Sequence, residues 1–378
     1  MKFKFTFFVH LLIILVLIFS PVSYAVENAE NQPASEQSAN KDNSDTSESN
    51  ENKELDLYAK SCILIERSTG RTAYEKNADE KMYPASTTKL LTAILAIEHC
   101  DLNDVVTITY DMTSRVPASY TTAYLRPGEK VTVEELLNVL LIPSANDAGF
   151  ALAIHISGSV DEFAKLMNEK AAQIGCTNSN FTNPSGIHDV NHYSTARDMS
   201  KIGICAMNYP QIANIVCKTS YTLHENKYNA RTFTTTNSLI KPAEKTYYEF
   251  ATGMKTGFTQ QAGSCLIASA KKENMEFLAV ILDAPKPHAN ITYRDLDCKT
   301  LFEYGFENYE EITKIDEPVL SIDNLQNVIH TKFSMNLVLK ISLIILTLLL
   351  IIVILKIKLN KNKNKGKTKT KKRKTKRK

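Results

Sequence analysis

The chain predicts a single α/β domain whose sheet is completed from both ends of the folded region. Three observations carry this. Short strand-like runs open the region at Cys62, segments with helical apolar spacing fill its middle, and two β-compatible apolar runs close it at Asp283. A hydrophobic fraction of 43% over 378 residues is ordinary for a globular protein with a sizeable core.

The elements follow in order. Residues 1–25 read as a secretory signal: Lys2 and Lys4 precede an apolar stretch from Phe5 to Phe19, and Ser23-Tyr24-Ala25 is a small-x-small cleavage site. Residues 26–56 hold nine acidic residues, two lysines and little that is apolar, so they predict a disordered acidic linker. The globular region is expected over residues 57–309. Cys62–Glu66 and Arg71–Glu75, joined through Ser-Thr-Gly, carry a hairpin signal. Ala85–His99 has the spacing of a largely buried helix through Leu90, Leu91, Ile94, Leu95 and Ile97. Thr132-Val-Glu-Glu135 is a capping box ahead of a further helix. Asp147–Ser157 and Ser159–Ile174 predict two more, the second opening on the capping box Ser159-Val-Asp-Glu162 and stopping at Gly175. Another is expected over Thr195–Met207. Ser264–Ala270 and Glu276–Asp283 predict strands, and Ile291–Phe306 a closing helix.

Beyond a juxtamembrane segment at residues 310–334, Leu337–Leu355 is apolar except for Lys340, Ser342 and Thr347. A helix of that length rises about 28 Å, so a transmembrane helix is expected over residues 335–357. Residues 358–378 form a basic tail, which the positive-inside rule places in the cytoplasm, with the globular region outside. The expected location is therefore the cell membrane, single-pass, with the lipid bilayer as a partner.

The net charge of +4 conceals a segregation. From Lys356 to Lys378 there are 14 basic residues and no acidic ones, which leaves 31 basic against 41 acidic elsewhere. A nucleic-acid-binding domain needs its positive charge on the folded part, so that class is excluded. The seven cysteines are odd in number and none has CxxC spacing, so neither a disulfide framework nor a zinc site is expected from their pattern.

Three motifs occur in order: Ser86-Thr-Thr-Lys89, Ser144-Ala-Asn146 and Lys255-Thr-Gly257. Each alone is weak, since SxxK and SxN arise by chance and an isolated Ser86 reads as a helix N-cap. Their order and context reverse that reading. Ser86 and Lys89, three apart, share one helical face. A serine hydroxyl attacks only when a base removes its proton, and Lys89 can do so only when neutral. Burial and a second cation such as Lys255 both favour that neutral form. Ser144 and Asn146 lie in a turn between two apolar helices, where Ser144 can relay a proton and Asn146 can hold a substrate amide. Lys255 and Thr256 can bind a carboxylate, while Gly257 lets a substrate lie against the strand.

With YEKNADEKMYPASTTKLLTA (Tyr74–Ala93), SANDAGFALA (Ser144–Ala153), NPSGI (Asn183–Ile187), HYSTARDM (His192–Met199) and GMKTGFTQQAGSCLIASA (Gly253–Ala270), the chain resembles the D-alanyl-D-alanine carboxypeptidases among the low-molecular-weight penicillin-binding proteins. The resemblance covers about residues 61–306. It implies a penicillin-recognising, β-lactamase-like α/β fold with the active site between helices and a mainly antiparallel sheet. It implies that Ser86 is acylated, that Lys89 is its base, that Ser144 relays the proton and that Asn146 positions substrate. Lys255 and Thr256 would recognise a terminal carboxylate beside Gly257, and the N–H groups of Ser86 and Phe258 would form the oxyanion hole. The partners it implies are a peptidoglycan stem peptide and inhibitory β-lactams. No metal and no cofactor is expected, the pair His188 and His192 included, because no HExxH or equivalent accompanies it.

Two departures concern placement. Residues 310–334 are too few for the β-rich domain that many members carry after the catalytic one, and the expected anchor is a span where members often use a surface helix. Three other readings compete. No Glu-x-x-Leu-Asn lies between Asn146 and Lys255, which argues against a class A β-lactamase. A D,D-endopeptidase would use the same machinery. A non-catalytic wall-binding or antibiotic-sensing module would not need the intact Ser86–Lys89 pair.

Overall fold

Burial on both faces explains why the strands read as continuous apolar runs. The computed structural model describes residues 55–224, 230–288 and 291–314. Its main sheet has five antiparallel strands: β1 (Ser61–Glu66), β2 (Thr72–Lys76), β7 (Ala251–Thr259), β8 (Gly263–Lys272) and β9 (Met275–Ala284), in the order β2-β1-β9-β8-β7. Every residue of β1 is buried. Its Ile63 and Ile65 join Ile267, Leu278, Val280 and Leu282 in the core beneath the helical region. Its Cys62 and Leu64 join Leu266, Ala268, Phe277 and Ile281 in a second core under the C-terminal helix. The alternation of period two therefore separates two cores instead of core from solvent.

The hairpin expected at the start forms, with Ile63 opposite Glu75 and Leu64 opposite Tyr74. Its turn is held by Glu66, whose carboxylate accepts from the N–H groups of Ser68 (3.1 Å) and Thr69 (2.7 Å). The last two strands complete the sheet: β9 inserts between β1 and β8 and pairs Ile63 with Val280.

The helical region holds α1 (Lys89–His99), α2 (Tyr110–Ser114), α3 (Val133–Leu141), α4 (Asn146–Ser157), α5 (Val160–Ile174), α6 (Ala196–Met207) and α7 (Pro210–Val216). Two capping expectations appear as hydrogen bonds. Thr132 and Glu135 satisfy each other's backbone N–H at the start of α3, and Ser159 accepts from Glu162 at the start of α5. Helix α1 is buried at every position from Lys89 to Ala96 and packs against α3, α4, α5 and α6, which makes it the axis of this region. Two small two-stranded sheets, β3 (Val105–Thr107) with β4 (Lys130–Thr132) and β5 (Ser220–Leu223) with β6 (Arg231–Thr234), were not expected. Helix α8 (Tyr293–Glu307) covers the far face of the sheet through Cys298, Leu301 and Phe302, followed by α9 (Tyr309–Lys314).

Two sequence expectations need correction. Residues 85–99 are not one α-helix: Ala85–Thr88 is a tight 3-10 turn entered through Ala85 at φ +48°, and α1 starts only at Lys89. The second concerns fold class, which is the α/β domain without the C-terminal transmembrane helix. Among the described residues no helix is long and apolar enough to cross a membrane. The longest, α5 and α8, have 15 residues and rise about 22 Å, short of the roughly 30 Å hydrocarbon core. The stretch Leu337–Leu355 lies outside the described residues, and nothing in the described part supports a bilayer span. The signal segment, most of the acidic linker and the basic tail also lie outside the described residues.

Candidate active site

Three elements converge on Ser86. The 3-10 turn presents it half-buried, α1 places Lys89 one turn later, and the edge strand β7 runs past its peptide nitrogen. A Cβ on Gly257 would lie 3.0 Å from Ser86 N and 3.1 Å from Pro84 O, so only glycine lets β7 approach this closely. The same approach sets the Gly257–Phe258 peptide beside the Ser86 peptide. The Phe258 ring is 47% exposed and lies beneath the Lys286 ammonium at 5.8 Å.

Lys89 is completely buried. Its Nζ lies 2.9 Å from Ser86 Oγ, 2.8 Å from Asn146 Oδ1 and 2.8 Å from the Ser185 carbonyl. A neutral lysine has two N–H bonds and one lone pair. Asn146 Oδ1 and the Ser185 carbonyl can only accept, so they take the two hydrogens. The lone pair is left facing Ser86, whose hydroxyl is the one partner able to donate. The electrostatics favour that state. Burial first, then the nearby Lys255, push the Lys89 ammonium well below its usual range, against an opposing pull from Asp147.

Asn146 and Asp147 hold α4 against a crossing loop. Asn146 donates through Nδ2 to the Thr121 carbonyl (2.8 Å), so its oxygen faces Lys89 and one N–H remains for another acceptor. The buried Asp147 carboxylate accepts from the N–H groups of Ala123 (2.8 Å), Leu125 (3.0 Å) and Ala148 (3.0 Å), although burial still raises its pKa. Ser144 sits in the turn before α4 at φ +70° and 8% exposure. Its hydroxyl makes no hydrogen bond to Ser86 or Lys89 among the described residues, so the structure brings it near the constellation without joining it.

Lys255 is also completely buried and donates to the Thr256 carbonyl at 2.9 Å. Burial, then the Arg294 guanidinium, lower its pKa to about 7. The Thr256 hydroxyl hydrogen-bonds that of Thr236. Arg294, on α8, donates to the Gly257 carbonyl at 3.1 Å. Lys255 and Arg294 thus place two cationic groups along the middle of β7.

Sequence reasoning missed Ser185, Asp147, Arg294 and His192 as members of this assembly. Ser185 acts through a carbonyl, which no side-chain motif reveals, although Asn183–Ile187 stood out as a segment. Asn183 Oδ1 gathers the N–H groups of Ser185 (3.1 Å), Gly186 (2.9 Å) and Ile187 (3.1 Å), which aims the Ser185 carbonyl at Lys89. His192 accepts from the Thr182 N–H at Nδ1 (3.1 Å), so its Nε2–H donates to Thr88 Oγ1 (2.9 Å); burial lowers its pKa to about 4 and keeps it neutral. His188 instead packs edge-on against Tyr83 at 4.7 Å. Each histidine is thus engaged with a different neighbour.

Gly186, at φ +74°, lies directly on the nucleophile's turn. A Cβ there would fall 1.8 Å from the Ala85 carbonyl oxygen. Gly186→Ala is therefore expected to destabilise the fold by about 3 kcal/mol or more, from overpacking and a left-handed backbone together. Chemical denaturation would read this as a lowered midpoint. An unchanged midpoint would mean that the 183–187 loop backs away freely and does not brace Ser86.

A family model described as D-alanyl-D-alanine carboxypeptidase matches residues 46–286. The D-alanyl-D-alanine carboxypeptidase DacF of Bacillus subtilis (strain 168) is 39% identical over 259 residues, covering 68% of this chain and 64% of its own. A D-alanyl-D-alanine endopeptidase of Pseudomonas aeruginosa is 31% identical over 233 residues, covering 61% and 72%. Among solved structures, the DD-transpeptidase of Streptomyces K15 superposes with a TM-score of 0.61 at 30% identity, over 66% of this chain and 98% of that one. The chain thus spans less than two thirds of the length of the Bacillus relative.

Proposed function

The chain belongs to the D-alanyl-D-alanine carboxypeptidase family, and from that premise we propose that it removes the terminal D-alanine from peptidoglycan stem peptides through an acyl-enzyme on Ser86. One observation carries the reading: Lys89 Nζ lies 2.9 Å from Ser86 Oγ while its other two partners can only accept. The family match and the similarity to named carboxypeptidases support the substrate class.

The chemistry follows from the geometry. Ser86 Oγ attacks the carbonyl carbon of the penultimate D-alanine and passes its proton to neutral Lys89. Charge on the carbonyl oxygen is met by the N–H groups of Ser86 and Phe258, preorganised by the close packing at Gly257. The proton then reaches the departing amine of the terminal D-alanine through Ser144. Water attacks the remaining ester, with Lys89 again as base, and restores the Ser86 hydroxyl. Lys255, with the Thr256 hydroxyl, holds the terminal carboxylate, and the free N–H of Asn146 positions a substrate carbonyl. β-Lactams inhibit by acylating the same serine.

A signal-like N-terminus and a wall substrate together support a site of action outside the cytoplasm. A D,D-endopeptidase is the second reading, favoured by the similarity to a relative of that name. Product analysis on a stem pentapeptide and on a cross-linked muropeptide separates the two. Free D-alanine from the pentapeptide alone is the expected result, whereas cleavage of the cross-link with an intact pentapeptide would overturn the carboxypeptidase reading.

A further inference from the structure

We propose that Cys100, Asp104 and His155 form a transition-metal site of the Zn2+ class that ties together the far ends of the two helices carrying the active site. One ligand atom from each lies within 4.8 Å of the others. Tetrahedral Zn2+ with sulfur, nitrogen and oxygen ligands needs separations of roughly 3.3–3.7 Å. Movements of about an ångström close that gap, and rotation of the exposed His155 supplies them.

The positions favour a cation. Cys100 is the C-cap of α1, with its N–H on the Ala96 carbonyl at 3.0 Å, and His155 lies in the last turn of α4. Two helix C-termini, each the negative end of its dipole, therefore point at one spot. Helices α1 and α4 pack together, and at their opposite ends they carry Lys89 and Asn146. Asp104 is fixed in the loop between them. Its N–H donates to the Asp101 carbonyl (3.0 Å), its own carbonyl accepts from Val133 (2.9 Å), and its Oδ2 accepts from the Asp101 N–H (2.9 Å). Among the described residues no hydrogen bond or ion pair engages the other carboxylate oxygen, which is left to a ligand.

The donor set selects the metal. Thiolate and imidazole suit Zn2+ and its neighbours and disfavour Ca2+ and Mg2+, which take oxygen. Zn2+ binding at Cys100 expels the thiol proton, because the ligand is the thiolate. The cysteine spacing gave no sign of this site, since His155 comes from another helix.

The test is a Co2+ titration of the reduced, metal-free full chain, followed by Zn2+ displacement. One equivalent of Co2+ is expected to develop a thiolate-to-metal absorption band that Zn2+ abolishes. At hundredfold excess over its Kd, Zn2+ should raise Tm by about 5–10 °C. Cys100→Ser should abolish the band, and His155→Ala should weaken binding by at least about 100-fold, since loss of a ligand exceeds loss of a ligand's partner. Asp104→Asn, conservative and exposed, should weaken it with the fold intact, as read by unchanged β-lactam labelling. Cys217→Ser, at an exposed thiol elsewhere, should change nothing. No band in the wild type, or a band that survives Cys100→Ser, overturns the proposal.

Discussion

Lys89→Arg is expected to slow β-lactam acylation of Ser86 by roughly 1,000- to 10,000-fold, the upper range for loss of a positioned general base. Arginine preserves the cation and much of the length, but it does not deprotonate within a protein and presents no lone pair. A role for residue 89 as a fixed positive charge would leave most of the rate in the variant. Wild-type labelling with a fluorescent penicillin should map to Ser86 by mass spectrometry, and Ser86→Ala should abolish it. A second expectation follows from the sign of the Lys89 shift. Its neutral form is the active one, so acylation rises with pH through its depressed pKa, until loss of charge on Lys255 weakens the hold on the penicillin carboxylate. Near-wild-type acylation in Lys89→Arg, or an adduct on another serine, would remove Lys89 and Ser86 from these roles.

The contact between Ser86 and Lys89 was legible because it is local. Ser86 and Lys89 are one turn apart in any helical conformation, so the 3-10 turn that replaced the expected helix start left them adjacent. That C-terminal strands complete the sheet was legible for a similar reason, since runs such as Cys62–Ile65 are apolar and need cover on both sides. What stayed hidden acts at long range or through the backbone. The Ser185 carbonyl reaches Lys89 across 96 positions, and Arg294 reaches the Gly257 carbonyl from a helix on the opposite face of the sheet. No spacing rule carries such contacts. The pair β5–β6 was missed because only Leu223 in it is buried, and its strands hold too little apolar content to signal themselves. The C-terminal span was inferred from hydropathy alone, and no helix among the described residues supports it.

Removing the Lys255 ammonium should cut turnover of a D-Ala-D-Ala peptide by about 30- to 1,000-fold, equivalent to roughly 2–4 kcal/mol for a charge contact in a desolvated cleft. Lys255 is completely buried beside Arg294, and its pKa falls to about 7. The sign of the pH effect follows. A carboxylate anchor must be charged, so kcat/KM should fall as pH rises through about 7 in the free enzyme, while Lys89 must be neutral and sets the acid limb. The limbs belong to a coupled pair, because each cation disfavours the other. A bound carboxylate stabilises the charged Lys255, so the alkaline limb of kcat should lie above that of kcat/KM. Lys255→Arg should remove the limb, since a guanidinium stays charged. Lys255→Ala carries a confound, as it also lifts pressure from Lys89 and raises that residue's pKa. The comparison that isolates the anchor is therefore acid against amide. Amidating the peptide's terminus should cost the wild type no more than the Lys255→Ala change, and the two losses should not add, because each deletes the same pair. If Lys255→Ala still prefers the acid as strongly as the wild type does, the carboxylate is held elsewhere, and the remaining cation at the end of β7 is Arg294.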